Sequence, residues 1–258
     1  MKKTVLILIL LSLSLISCST DDPTNTYPST TNGPLVKQIN EIYESENNSD
    51  VLRTIDHTYS GNKLVKVVDE FHSPNGSKLT SNYTYAGGQL TDILETVDNG
   101  TNIENYTTEL SYDSSGRLNE IIKNGTSRFT YTYQSNGVIT RTSINSNNTV
   151  NMTYSGENIT NISFVDGTTG DTVIREVTFD DKNYFLKNIH QYDIFALLNY
   201  NGGINNDIQV TLDSGFGSEI LYDRSYTYNP NNYPITMTTV QAAGTSTEST
   251  STATFTYY

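Results

Sequence analysis

From Leu35 onward, threonine and aromatic residues alternate along short stretches such as Phe129, Thr130, Tyr131, Thr132 and Tyr133, making one face of an extended chain aromatic and the other hydroxylated. Both residue types favour strands. Each stretch ends in a turn with Gly or Asn, then an apolar residue and commonly a second one three positions on. Tyr59, Gly61, Leu64 and Val67 form one such unit, and Tyr85, Gly88, Leu90 and Ile93 the next. Further units run through Tyr112, Gly116, Leu118 and Ile121, then Tyr133, Gly137 and Ile139, then Tyr154, Gly156, Ile159 and Ile162. Phe179, Asn183, Leu186 and Ile189 give another, and Tyr228, Asn232, Ile235 and Met237 the last. The aromatic anchors recur about every 21 to 27 residues, except that Phe179 and Tyr228 lie nearly two periods apart, which predicts a degenerate copy between them. Each unit reads as a β-hairpin, and the chain as an all-β, antiparallel β-meander.

Leu35, Val36, Ile39, Ile42 and Tyr43 have helical spacing, but their phase is that of the second strand of a unit lacking its first. Thr254 to Tyr257 look like a first strand lacking its second, so the segment from Leu35 is predicted as a strand. One short helix is predicted near 191–199, where Ile194, Phe195, Leu197 and Leu198 cluster before Gly202 and Gly203. It should cover a sheet face or end. Roughly fifteen strands exceed the ten or so that an open twisted sheet tolerates, which predicts a large curved sheet, barrel-like or closed. Aromatics are expected inside, where burying each tyrosine is worth about 2 kcal/mol. Thr, Asn and Ser are expected outside, in keeping with a chain only 35% hydrophobic. A membrane barrel would need an apolar lipid-facing row, yet stepping back by twos from Tyr258 gives Thr256, Thr254 and Thr252.

The N-terminus changes the picture. Lys2 and Lys3 precede a short apolar run, Thr4 to Ile16, that is too short to remain as a membrane span. It ends in Leu15, Ile16, Ser17 and Cys18, which resembles the lipobox of bacterial lipoproteins, where a peptidase cuts before the cysteine and its thiol carries a diacylglycerol. The resemblance implies a signal peptide over 1–17 and lipidation at Cys18. Residues 18–34, rich in Ser, Thr, Asn, Asp and Pro, then form a tether, and 35–258 a single β-repeat domain. Asp21 and Asp22 resemble the surface-export signal of Bacteroidota-type lipoproteins, so an outer-membrane lipoprotein, periplasmic or surface-exposed with surface display favoured, is the expected location.

The formal charge of −13, with 28 acidic and 15 basic side chains, argues against nucleic acid as a partner. Cys18 is the sole cysteine, so no disulfide or cysteine metal site is available. His57, His72 and His190 show no metal-ligand spacing, and no metal or cofactor is implied. Asp180 and Asp181 lack a calcium-loop pattern and read as turn residues. Asp171, Thr172 and Val173 resemble a Bacteroidota O-glycosylation acceptor, with Thr172 as the modified residue.

Tyr112, Asp113, Gly116, Arg117, Leu118 and Ile121 resemble the YD repeat of Rhs and teneurin-type β-shells. In the other units the Asp is usually replaced. Those shells enclose a cargo, which a chain of this length is too short to do. With the lipobox and the Asn183–Ile189 stretch leading into Tyr192, the chain resembles Bacteroidota lipoproteins of unknown function built of YD-like repeats. That implies a fold and no activity. The expected role is a non-catalytic binding or structural module at the cell envelope, meeting the membrane through its anchor and a polysaccharide or another envelope protein as ligand. Tyr83, Tyr131 and Tyr226 are the candidate ligand-stacking residues. The alternative is an envelope-associated carbohydrate-active hydrolase using a carboxylate pair, for which the sequence nominates no residues.

Overall fold

The structure, a computed structural model, describes residues 33–44, 51–72, 76–200, 202–215, 217–245 and 248–258. Cys18, Asp21 and Asp22 lie outside them. Among the described residues sixteen strands follow one another as β1 (Val36–Tyr43), β2 (Val51–Ser60), β3 (Lys63–His72), β4 (Lys78–Ala86), β5 (Gln89–Asp98) and β6 (Ile103–Tyr112). Next come β7 (Leu118–Lys123), β8 (Thr126–Tyr133), β9 (Ile139–Ser143), β10 (Thr149–Ser155), β11 (Asn158–Val165) and β12 (Thr172–Phe179). A single helix, α1 (Tyr192–Asn199), precedes β13 (Asp207–Asp213), β14 (Ser218–Tyr228), β15 (Pro234–Gln241) and β16 (Ser249–Tyr257). Each strand pairs antiparallel with its neighbours in sequence, and β1 pairs with β16, so the meander closes into a barrel. The first strand is the one the sequence predicts over Leu35–Tyr43. Ile39 lies between Phe255 and Ile55 in the ladder, so the unpartnered strands at the two ends of the domain complete each other and leave no edge.

The repeat turns all fall at one end of the barrel, together with residue 36 and Tyr257. At Tyr112 the resemblance to a YD unit has a physical basis: the Asp113 carboxylate accepts the N–H groups of Ser115 (2.9 Å) and Arg117 (3.0 Å), while Gly116 takes φ 79°. In the last hairpin Asn229 accepts from Asn231 and Tyr233 in the same way, and Asn232 occupies the left-handed position at φ 62°. An amide replaces the carboxylate because only an acceptor oxygen is required.

Alternating tyrosines solve a second problem at this end. The β3–β4 ladder runs from Glu70 and Lys78 to Lys66 and Asn82 and stops before Leu64. The Leu64 carbonyl, freed from the ladder, accepts instead from the Tyr85 hydroxyl at 3.1 Å. The device recurs. Tyr112 donates to the Leu90 carbonyl (2.6 Å), Tyr133 to Leu118 (2.9 Å), Tyr226 to Asp207 (3.1 Å) and Tyr257 to Pro234 (2.8 Å). Buried carbonyls need partners, and these inward-facing tyrosines supply both the apolar filling and the missing donor.

A sixteen-stranded barrel has a lumen wider than its own side chains fill. Here the connection between β12 and β13 fills it. Phe179 pairs with Asp207, so the long interval between Phe179 and Tyr228 is one hairpin carrying an insertion, and the predicted degenerate copy is not there. The Asn183, Leu186 and Ile189 stretch likewise forms the start of this plug rather than a strand. Tyr192, Ile194, Phe195, Ala196 and Leu197 of α1 are buried in one cluster with Leu64, Leu90, Leu118, Ile121, Met152, Ile162 and Val210 from the inner wall. Gly202 lets the chain turn back, since a Cβ there would lie 2.2 Å from that of Ala196. Polar bonds fasten the plug to the turns: His190 N–H to the Asn62 carbonyl (2.9 Å), His190 Nε2 to the Gly88 carbonyl (2.5 Å), and Asn183 N–H to the Asn232 carbonyl (2.9 Å). Gln191 Oε1 accepts from Leu90 N–H (2.6 Å), and Asn188 Nδ2 donates to Pro34 O and Tyr233 (both 2.8 Å). The plug enters from the turn end and closes it.

The outer wall is polar. On β16, Ser251, Ala253 and Phe255 are buried while Thr254 and Thr256 point out. Of the exposed large aliphatic side chains, Ile42 and Leu52 face each other across the β1–β2 ladder, while Leu94, Ile103, Ile144 and Ile235 lie on other strands and one turn. Among the described residues no lipid-facing apolar band of the kind a membrane barrel carries is formed.

Candidate functional site

The inner wall carries charge as well as tyrosine, and the charges fall into two kinds. Most are paired. Arg53 meets Glu41 (3.2 Å) and Asp69 (2.7 Å), and the Ser251 hydroxyl donates to Glu41 (2.9 Å). Near the plug, the buried Asp207 accepts from Arg224 (2.6 Å) and the Tyr222 hydroxyl (2.5 Å), and the neighbouring Tyr228 hydroxyl donates to Asp180. Asp180 also accepts from the N–H groups of Lys182 and Asn206.

Among the arginines of the inner wall the exceptions are Arg141 on β9 and Arg175 on β12. Neither takes part in an ion pair among the described residues. Arg141 is held by rings: its guanidinium carbon lies 3.8 Å from the Phe129 centroid and 4.0 Å from that of Tyr200. Phe164 meets Tyr200 edge-on at 6.1 Å, and Arg175 lies 5.6 Å from the Phe164 ring, with its Nε buried and without a partner. Burial lowers the Arg141 pKa from its ordinary value, with Tyr131 opposing the shift.

These rings and Arg141 line a cavity of about 570 Å³ at the mouth, the end of the barrel opposite the plug. That is within the range of small-molecule sites, about 300–1,000 Å³. Ser143, Ser146, Asn148, Thr149 and Thr169 add hydroxyls and amides, and Asp166 and Asp171 complete the rim. Asp166 is committed to its own turn, accepting from Thr168 (2.7 Å) and Thr169 (2.8 Å), and those bonds lower its pKa. Tyr200, just past α1, takes the left-handed conformation (φ 50°) and donates its N–H to the Ala196 carbonyl, which turns the ring toward the cavity. The plug thus closes one end and furnishes the floor of the pocket at the other.

The three tyrosines nominated from sequence all face inward but do not come together. Tyr131 is buried opposite Arg141 in the ladder, one step deeper than Phe129, and burial pushes its hydroxyl up to about 12. Tyr83 packs on Phe195 with ring centroids 5.4 Å apart, and Tyr226 serves Asp207. Thr172 is exposed at the start of β12, between the pocket residues Asp171 and Val173. The histidines are scattered: His57 is buried in the lumen, lowered to about 4 by burial; His72 sits outside against Thr54; His190 is in the plug. Arg141, Arg175, Phe129, Phe164 and Tyr200 were not nominated. A signal for the arginines existed, since each falls on the apolar phase of its strand, between Ile139 and Ser143 and between Val173 and Val177.

No protein-family model matches the sequence, and no curated protein matches it. Among solved structures, a porin-like protein from Bacteroides uniformis ATCC 8492 aligns over 86% of this chain and 98% of its own, at 13% identity and a TM-score of 0.42. A porin-like protein from Bacteroides vulgatus ATCC 8482 aligns over 88% and 99%, at 9% identity and 0.39. Similarity at this level carries nothing across to this chain, whose barrel rests on its own strand pairings.

Proposed function

We propose that the protein is a lipid-anchored cell-envelope module that binds its ligand, a polysaccharide or an envelope protein, at the mouth of the barrel. The carrying observation is the pocket around Arg141, where aromatic rings surround a guanidinium without an acidic partner. The position of the chain start supports the arrangement: the strand that follows the tether begins at the plugged end, so an anchor at Cys18 leaves the mouth pointing away from the membrane. The polar outer wall suits a barrel held off the bilayer rather than embedded in it. A hydrolase of the two-carboxylate kind needs two groups free to exchange protons, whereas of the two carboxylates on the pocket rim, Asp166 and Asp171, the first is committed to the Thr168 and Thr169 N–H groups of its own turn. Binding is therefore the better reading.

Two experiments test it. In cells given an alkyne-labelled fatty acid, the wild-type chain should label and fractionate with membranes, and Cys18→Ala should do neither; labelling of the variant would refute the anchor. Affinity electrophoresis of the detergent-solubilised protein through gels cast with single polysaccharides should show retardation without new reducing ends. Release of reducing ends would replace the binding reading with the hydrolytic one.

A further inference from the structure

Arg141 is sandwiched, and the sandwich dictates what it can recognise. With Phe129 on one side and Tyr200 on the other, both at about ring-stacking distance, the flat faces of the guanidinium are covered. What remains available is its edge, a coplanar row of N–H donors that matches a carboxylate in two parallel hydrogen bonds. A protein with 28 acidic side chains has carboxylates to spare, and Arg53, Arg117 and Arg224 each have at least one. Arg141 lines the cavity and has none. Holding a half-buried cation without its counter-ion is unfavourable, and an arriving anion removes that cost. Around it, the Phe164 and Tyr200 rings offer apolar faces, while Ser143, Ser146, Asn148 and Thr149 offer groups for hydroxyls. A ligand that is apolar on its ring faces, hydroxylated at its edges and carboxylated at one carbon is a uronic acid.

We propose that the mouth pocket is a subsite for a carboxylate-bearing sugar residue of an acidic polysaccharide, with Arg141 engaging the carboxylate edge-on. This rests on the binding reading above and names its ligand class. Asp166 and Asp171 on the rim oppose indiscriminate uptake of anions, so the site selects a carboxylate presented at the depth of Arg141. Tyr131 is the ladder partner of Arg141, one step further from the mouth than Phe129.

The test is calorimetric titration of the detergent-solubilised protein with a galacturonate tetrasaccharide, its methyl ester, and a neutral galactose tetrasaccharide. The acid should bind, and the ester and the neutral sugar should bind at least about tenfold more weakly, as expected for loss of a charge-assisted bond. Arg141→Gln should abolish the preference for the acid over the ester. Arg141→Lys should restore little, because a lysine keeps the charge but not the planar edge. Ser146→Trp, at an exposed position on the pocket rim, places a bulky ring beside the cavity and should block the acid with the melting curve unchanged. Equal affinity for acid and ester, or an unchanged preference in Arg141→Gln, overturns the assignment of Arg141. Binding only of neutral sugars overturns the ligand class while leaving the mouth as a binding site. Binding of a peptide through its C-terminal carboxylate and of no saccharide overturns the sugar. A tetrasaccharide that still binds the Ser146→Trp variant removes the site from this pocket.

Discussion

The two ends of this barrel treat polar groups in opposite ways. At the plugged end the Leu64, Leu90, Leu118, Asp207 and Pro234 carbonyls, which the strand ladders abandon, are each met by a tyrosine hydroxyl, and the plug bonds to three separate turns and to the start of β11. At the mouth, Arg141 and Arg175 have no acidic partner and the rings beside them border open space. At the plugged end these carbonyls are satisfied internally, although the Tyr59 hydroxyl and Asn206 Oδ1 there are buried without a partner, and at the mouth two guanidinium groups are left without an acid. Stability and recognition have been assigned to different ends of one sheet, with the plug linking them because Tyr200 closes the pocket floor.

The largest effect should come from breaking the closed end at its buried charge pair. Asp207→Ala leaves Arg224 buried and unpaired, and urea denaturation should show a loss of about 3–5 kcal/mol. If the loss is under about 1 kcal/mol, the plugged end is not where stability resides. Phe195→Ala, which empties the contact with Tyr83 at the centre of the plug, should cost about 3–5 kcal/mol. A single clasp is smaller: Tyr112→Phe keeps the ring and strands the Leu90 carbonyl, for about 1–3 kcal/mol. At the mouth the sign should change. Arg141→Met removes an uncompensated cation, so melting should be unaltered or slightly raised even as acidic-sugar binding is lost.

The interior also contains two titrating groups with opposite effects. Burial raises the Asp193 pKa to about 6 in the folded protein, above an unfolded value near 3.9. The folded state therefore binds more protons between these values, and the Asp193 contribution to stability falls as pH rises through that window. His57, lowered to about 4 from an ordinary value near 6.5, binds fewer protons when folded, so its contribution grows over nearly the same window. The wild-type profile between pH 4 and 6 should be shallow because the two oppose each other. Asp193→Asn should uncover a rise with pH and His57→Asn a fall, each on the order of 1–2 kcal/mol after allowance for relaxation. Identical slopes in both variants would contradict the burial of one of them.

Much of this architecture was legible. Period-two alternation fixes strands and their inward face, the turn residues fix hairpins, and the mismatched phases of Leu35–Tyr43 and Thr254–Tyr257 announce closure. What misled was the interval after Phe179, where Leu186 and Ile189 carry the spacing of a second strand because an apolar plug residue and an apolar strand residue obey the same burial rule. The register of Phe179 with Asp207 distinguishes them, and register is a long-range property. The pocket was half legible. Charges on the apolar phase, Glu41, Arg53, Asp69, Arg141, Arg175 and Arg224, can be read from alternation alone. Which of them find partners depends on which strands are adjacent around the barrel and on where Tyr200 is delivered by the plug, and neither follows from local pattern.

The contrast between the ends is tested most directly by amide hydrogen exchange followed by mass spectrometry, with and without the galacturonate tetrasaccharide. The plug around Ile189–Leu197 should exchange only with global unfolding, the turns at 144–148 and 166–171 should exchange quickly in the free protein, and the sugar should slow these turns alone, as the contrast requires. Rapid exchange in the plug, or sugar-induced protection at the turns around Asn62 and Gly88, would contradict it.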